Sequence, residues 1–270
     1  MFKTRLISGI LLVAVALITI ISGGDVLAVT LLGVSIIGLG ELFQIRSMQF
    51  QAPALIIYAA TLIYYLLLRF ALTEYLWMMA VALLLLLMAV YVFTFPKYDA
   101  DQMMLAFFGF FYVTVLLSFV YRTRMLENGG VTVWLVFLCS WGYDTCAYCV
   151  GMLTGKLVGN HKMTPKLSPK KSVEGAVGGL IGAVLLGAAY AAIMGSVRGE
   201  AQPVLEFMII CGVGAVIAQI GDLAASAIKR NYNLKDYGTI IPGHGGVLDR
   251  FDSVIFTAPV IFYLASMLNV

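Results

Sequence analysis

The chain is predicted to be all-α, a polytopic membrane helix bundle of about nine transmembrane helices, and three observations carry that prediction. Hydrophobic residues make up 61% of the 270 positions and charged residues only 11%, where a soluble domain sits at about 45–50% apolar. Mean hydropathy is +0.97. The apolar residues come in runs of about twenty, the length that crosses a hydrocarbon core of about 30 Å at 1.5 Å per residue. The segments between runs are too short to hold a soluble domain, so the membrane bundle itself must carry the function.

Nine runs are read, at about 5–22, 26–43, 53–70, 75–95, 103–121, 131–151, 173–195, 205–228 and 252–268. The first follows Lys3 and Arg5 and ends near Ser22-Gly23-Gly24, so a cleavable leader is weighed. With eight further runs behind it, it is read as the first spanning helix. The second run carries Glu41 near its end; the residue belongs to no motif and is taken as snorkelling or paired. Runs three to five show length and hydropathy but no motif. The sixth contains Ser140-Trp141-Gly142-Tyr143-Asp144-Thr145. The seventh is rich in glycine, at Gly175, Gly178, Gly179, Gly182 and Gly187, spacings that let helices approach closely. The eighth contains Asp222, and the ninth opens on Asp252. Two domains are expected: 1–130 with helices one to five, and 131–270, a catalytic membrane domain with helices six to nine and two cytoplasmic loops.

Cys139, Cys146, Cys149 and Cys211 all lie in or beside apolar runs, where free cysteine behaves as a small hydrophobe. Cys146 and Cys149 form a C-x-x-C, but a zinc site needs two further ligands, so they are read as packing residues. Trp77, Trp134 and Trp141 are read as interface or packing residues.

Charge bias sets the expected orientation. With the N-terminus inside, thirteen Lys and Arg fall on the cytoplasmic side and four, Arg69, Arg122, Arg124 and Arg198, on the other. The positive-inside rule then gives a cytoplasmic N-terminus and an outside C-terminus. The asymmetry is concentrated in two loops, 155–172 with Lys156, Lys162, Lys166, Lys170 and Lys171, and 229–249 with Lys229, Arg230 and Lys235. Topology or anionic headgroups account for lysines. They do not call for His161, Pro165, Pro169, His244 and several glycines among them, a composition that suggests a shaped phosphate site.

Ionisable residues in a spanning helix mark a functional site by default. Asp144, Asp222, Asp249 and Asp252 all fall toward the cytoplasmic ends of their runs, the last two at i and i+3. A hard divalent cation such as Mg²⁺ takes one or two carboxylates plus substrate phosphate oxygens. The competing reading is structural pairing: Asp249 or Asp252 with Arg250, or Asp222 with Lys229. Glu174 opens the seventh run, where a helix dipole also favours an acid.

The segment from Ser226 to Asp252 reads S-x-x-K-R-x4-K-D-x-G…P-x-H-G-G-x-x-D-R-x-D and resembles the signature of the phosphatidate cytidylyltransferases, the CDP-diacylglycerol synthases. Ser168-Pro169-Lys170-Lys171-Ser172-Val173-Glu174-Gly175 is similar to that family's S-P-K-K-T-x-E-G element, with Ser172 in place of the usual threonine and Val173 where an aromatic is frequent. Trp141-x-x-Asp144-Thr145-x-Ala147-Tyr148 is similar to its helix-six element. The resemblance covers about residues 135–255.

The resemblance implies Mg²⁺-dependent transfer of CMP from CTP to phosphatidic acid in a helical membrane protein, expected in a bacterial-type inner membrane; the charge bias of the loops places the site on the cytoplasmic face. The resemblance implies as partners CTP, phosphatidic acid, the lipid bilayer and a second copy of the chain in a homodimer, and no nucleic acid. The lipid phosphate, largely dianionic near neutral pH, attacks the α-phosphorus itself, so catalysis is positioning and charge neutralisation. Asp222 and Asp249 are assigned to the cation, with Asp144 a third acid at a second cation or in the outer shell. Lys170, Lys171, Lys229 and Arg230 are assigned to phosphate oxygens, with Arg250 beside them. Ser168 belongs to the nucleotide site, and Gly245 and Gly246 allow close backbone approach to phosphate. Ser226, one turn from Asp222, is assigned to its carboxylate or a metal-bound water, with a plain helix contact as the alternative. For His244 three roles stay open: protonating pyrophosphate, binding phosphate, or fixing the loop. His161 is read as a loop residue.

An ion-coupled transporter is the rival from another class, since proton and cation relays also use intramembrane aspartates. Its usual related halves are missing, and the acids lie toward one face beside basic loops. A CDP-alcohol phosphotransferase would need D-x-x-D-G-x-x-A-R, and Asp252 is followed by Ser253.

Overall fold

The computed structural model describes the chain except Met1, Val158 and His244, with side chains described from Ile7 onward. Nine helices order the described residues: α1 (Phe2–Ser22), α2 (Gly24–Gln44), α3 (Ala52–Arg69), α4 (Leu76–Thr94), α5 (Ala100–Arg124), α6 (Gly129–Leu157), α7 (Val173–Arg198), α8 (Val204–Asn231) and α9 (Leu248–Leu268). Among the described residues α2 to α9 are long and apolar enough to cross a membrane, and α1 is apolar over Ile7–Ser22. Each predicted run is recovered as a helix, and the protein is a multi-pass membrane protein.

Several helices run past their apolar stretches. α6 continues to Leu157, α8 to Asn231, and α9 begins at Leu248. Lys156, Lys229 and Arg230, expected in loops, therefore stand on helix ends, where hydrogen-bonded backbone carries polar side chains as readily as apolar ones, and Asp249 stands in the first turn of α9, where the ninth helix was expected to begin. Between α6 and α7 the expected loop contains a two-stranded antiparallel hairpin, β1 (Lys162–Thr164) and β2 (Ser168–Ser172), with Lys162 opposite Ser172 and Thr164 opposite Ser168.

Two compact units are present. The first comprises Met1–Tyr121 and Asp236–Arg250, the second Arg122–Lys235 and Phe251–Val270. The sequence-based division at 130/131 thus lies nine residues beyond this boundary, and the glycine-rich motif segment 236–250 belongs with the N-terminal helices.

In the first unit Leu39, Leu42, Phe43, Leu87, Met103 and Phe110 are buried. Gly109 admits Phe43, whose ring carbon lies 2.9 Å from where a Cβ would stand. Thr61 and Thr114 hydroxyls pair at 2.8 Å, and Tyr64 and Ser118 at 3.1 Å; such polar pairs join helices where lipid supplies no hydrophobic drive. α5 starts on a capping box in which Asp99 accepts from Gln102 N and Gln102 returns to Asp99 N, satisfying two helix-start donors.

In the second unit α7 is the close-packed centre. A Cβ on Gly175, Gly179 or Gly182 would stand 2.6–2.8 Å from Ala147 O, Tyr143 or Cys146 of α6, one on Gly178 would overlap Val150, and one on Gly187 would lie 2.8 Å from Cys211 of α8. The glycine stripe therefore seats α6 and α8 directly on the α7 backbone, as its spacing predicts. Tyr143, Ala183, Ala215 and Ala218 form the buried cluster. Val177, Ile181 and Leu185 on the outer side of α7 stay exposed, as lipid-facing residues do.

Candidate active site

In the second unit, α6 carries a π-helical turn at Leu138–Gly142 immediately before Tyr143 and Asp144. One extra residue in a turn rotates all that follows by roughly 100°. Tyr143 consequently faces inward, 2% exposed, with its ring over Gly179, and its neighbour Asp144 lines a cavity of about 340 Å³. Lys170 and Lys171 from β2 line the same cavity, with Tyr148, Asn160 and Gln219.

Lys170 is exposed and Lys171 half-buried, and Lys171 Nζ forms an ion pair with Asp222 of α8. Ser172 ends the strand and caps α7, its hydroxyl accepting from Gly175 N at 3.1 Å; the substitution for threonine keeps this bond. His161 holds the other edge of the hairpin: its backbone N–H lies 3.1 Å from both Glu174 oxygens and its Nδ1 2.6 Å from one of them. His161 thus fastens the hairpin to Glu174, which also stands at a helix start.

Asp222, Ser226 and Lys229 fall at i, i+4 and i+7 on α8, one stripe of one face. Lys229 is 8% exposed and Asp252 7%. Asp252 feels the charges of Asp222, Lys229 and Asp144, and its Oδ1 accepts from Ser253 N at 2.8 Å. Of the assigned residues, the second unit therefore gathers Asp144, Lys170, Lys171, Asp222 and Lys229, together with Asp252. Ser168 stands at the start of β2, two residues before Lys170. Arg230 is exposed and its Nη1 donates to Leu234 O at 2.7 Å, closing the end of α8.

The first unit holds the other part of the motif. Asp249, 6% exposed, takes Tyr237 N at 2.8 Å and Gly246 N at 3.0 Å on the same oxygen, Oδ2. Gly245 has φ +86°, a conformation natural to glycine, and faces Asp249 Oδ2. Arg250 follows in the first turn of α9, and His244 lies outside the described residues.

Sequence reasoning took Glu41 as snorkelling or paired and gave it no place in the site; the structure shows it paired. It is 3% exposed, its Oε1 accepts from Val247 N at 2.9 Å and its Oε2 from Leu248 N at 2.8 Å. The side of Gly246 where a Cβ would stand is filled by this carboxylate, 2.5 Å from both oxygens. The signal was an acid inside an apolar run; its partner lies 206 positions away, beyond the reach of local pattern.

Among the described residues no three His, Cys, Asp or Glu side chains close around a single point. A set of separate carboxylates beside lysines fits a hard cation that completes its shell with water and substrate phosphates, rather than a closed protein cage.

The cytidylyltransferase family profile matches residues 3–268. Among curated relatives, the phosphatidate cytidylyltransferase of Bacillus subtilis is 30% identical over 160 residues, 58% of this chain and 56% of that protein. The Rickettsia typhi phosphatidate cytidylyltransferase is 33% identical over 158 residues, 57% of this chain and 67% of that protein. The Rickettsia felis protein of the same name is 61% identical over 59 residues, covering 22% and 26%. The match thus spans little more than half the length of the Bacillus relative and about a quarter of the Rickettsia felis one. With a match along nearly its whole length and a helical membrane fold that places lysines beside intramembrane aspartates, the chain belongs to the cytidylyltransferase family.

Proposed function

We propose that the protein transfers CMP from CTP to phosphatidic acid, releasing pyrophosphate and CDP-diacylglycerol for phospholipid synthesis. The observation that carries this reading is the cavity lined by Asp144, Lys170 and Lys171, with Lys171 paired to Asp222. Cationic groups for a polyphosphate thus stand beside carboxylates in helices that cross a membrane. The names of the curated relatives supply the nucleotide and the lipid.

An oxygen of the lipid phosphate attacks the α-phosphorus of CTP. A new P–O bond forms there as the bond to the α–β bridging oxygen breaks, and pyrophosphate leaves with the electron pair. Lys170 and Lys171 hold triphosphate oxygens as point charges, and Lys229 balances the acids of its stripe. Asp222 and Asp144 of the second unit would hold Mg²⁺, and Asp249 of the first unit is likewise assigned to a cation; bound there, Mg²⁺ would offset the negative charge of the triphosphate and make the α-phosphorus a better electrophile. The fixed Oδ2 of Asp249 orients that carboxylate, as outer hydrogen bonds orient metal ligands. The site faces the cytoplasm of a bacterial inner membrane, on the charge bias of the loops, and the protein works as a homodimer.

Pyrophosphate release by purified protein in detergent tests the reaction, with CTP, phosphatidic acid and Mg²⁺ present or singly omitted. Wild type is expected to require all three, and Asp222→Asn and Asp249→Asn to remain folded and fail. Near-normal rates in both variants would remove the cation assignment. Cation movement into vesicles without nucleotide, and no CDP-diacylglycerol, would replace the enzyme with a transporter. Turnover of externally added CTP by inside-out but not right-side-out vesicles tests the face, and molar mass in detergent tests the dimer.

A further inference from the structure

Glu41 is a buried acid in an apolar span with two backbone partners, and both belong to the segment that leads into Asp249. Its two carboxylate oxygens take the N–H groups of Val247 and Leu248 at 2.9 and 2.8 Å. These are among the donors that a helix start leaves unsatisfied and that a neighbouring Ser, Thr, Asp or Asn ordinarily accepts. Here the acceptor comes from α2, a different helix. The fit is close on two sides, since a Cβ at Gly238 or Gly246 would lie 2.5 Å from Glu41 Oε1. Gly246 in turn donates its own N–H to Asp249 Oδ2 at 3.0 Å.

We propose that Glu41 is a positioning residue for Asp249. Its carboxylate clamps the peptides of Val247 and Leu248, and that clamp fixes the first turn of α9 and the direction of the Asp249 side chain. Gly238 and Gly246 are glycines because Glu41 fills the volume their side chains would take. The proposal deepens the reading above and rests on the assignment of Asp249 to the cation. A ligand carboxylate held by a rigid outer shell binds a cation more tightly than one that must be ordered on binding.

The test compares wild type, Glu41→Gln and Glu41→Ala as full-length protein in detergent. Hydrogen-exchange mass spectrometry follows peptides covering 236–250, and electron paramagnetic resonance follows Mn²⁺ binding without substrate. In Glu41→Gln the amide replaces one acceptor with a donor facing a backbone N–H. Exchange in 246–249 is expected to quicken at least tenfold while helix α4 is unchanged, and the Mn²⁺ Kd to rise about tenfold, in line with the loss of an outer-shell partner. Glu41→Ala is expected to go further in both, and the isosteric Gln variant keeps the test decisive if Ala does not fold. Unchanged exchange in Glu41→Gln would overturn the clamp. Faster exchange with an unchanged Mn²⁺ Kd would make Glu41 a helix cap only and overturn the positioning role. No Mn²⁺ binding by wild type would remove the cation reading and the positioning role with it; the exchange arm would still decide the clamp.

Discussion

Lys171 of the β-hairpin and Asp222 of α8 are joined by an ion pair whose side chains are each about a quarter exposed. The pair ties a polar hairpin to a spanning helix. Breaking it from one side leaves the other charge without its partner in a setting poorer in water than the surface. Lys171→Met and Asp222→Asn should each lower thermal stability in detergent, and the double variant should lose less than their sum. A coupling of about 0.5–3 kcal/mol is expected from the double-mutant cycle. Strict additivity would show that the pair does not form in solution.

The same residue pair should separate in activity. Asp222→Asn is expected to slow CDP-diacylglycerol formation by roughly 10²–10³-fold, the usual effect of deleting a preorganised charge, with little rescue by added Mg²⁺. On the proposed assignment of Lys171 to triphosphate oxygens, Lys171→Met should act mainly by raising KM for CTP. Initial rates over a matrix of CTP and Mg²⁺ concentrations check both.

Gly246→Ala should be more damaging than its size suggests. Its Cβ would stand 2.5 Å from both Glu41 oxygens, so either the carboxylate or the loop must move. A rate at least about tenfold lower, equivalent to about 1.4 kcal/mol in the barrier, is expected from pyrophosphate release assays. Full activity in a folded Gly246→Ala protein would mean that the volume between these groups is not held.

Helix packing in the second unit gives a contrast within one residue type. Gly178→Val places a branched side chain against Val150, and overpacking of this kind costs about 1–3 kcal/mol. Gly33→Ala meets nothing within 4 Å and gains up to about 1 kcal/mol of helix propensity. Unfolding temperatures in the same detergent should move in opposite directions. Equal shifts would remove the glycine stripe as the reason α6 lies so close to α7.

The legible part of this protein was its membrane architecture and its motif acids. Hydropathy reports every span because lipid acts on each run locally, and the α7 glycines declare a close approach through their spacing alone. Helix ends were less legible: Lys156, Lys229 and Arg230 look like loop residues to a hydropathy window, yet backbone hydrogen bonding carries the helices through them. The β-hairpin was hidden in a segment of lysines, prolines and glycines whose local pattern has no strand period.

By itself, the sequence determined that the chain crosses a membrane many times and that Asp144, Asp222, Asp249 and Asp252 stand beside basic segments, because composition, run length and motif are properties of neighbouring residues. Only the tertiary structure decided which of those groups meet. The π turn before Asp144 turns it to the cavity wall, β2 delivers Lys171 to Asp222, and Glu41 takes the N–H groups of Val247 and Leu248. Each of these depends on where distant segments come to rest. A backbone donor in an apolar medium must find an acceptor, but nothing local dictates which part of the chain provides it.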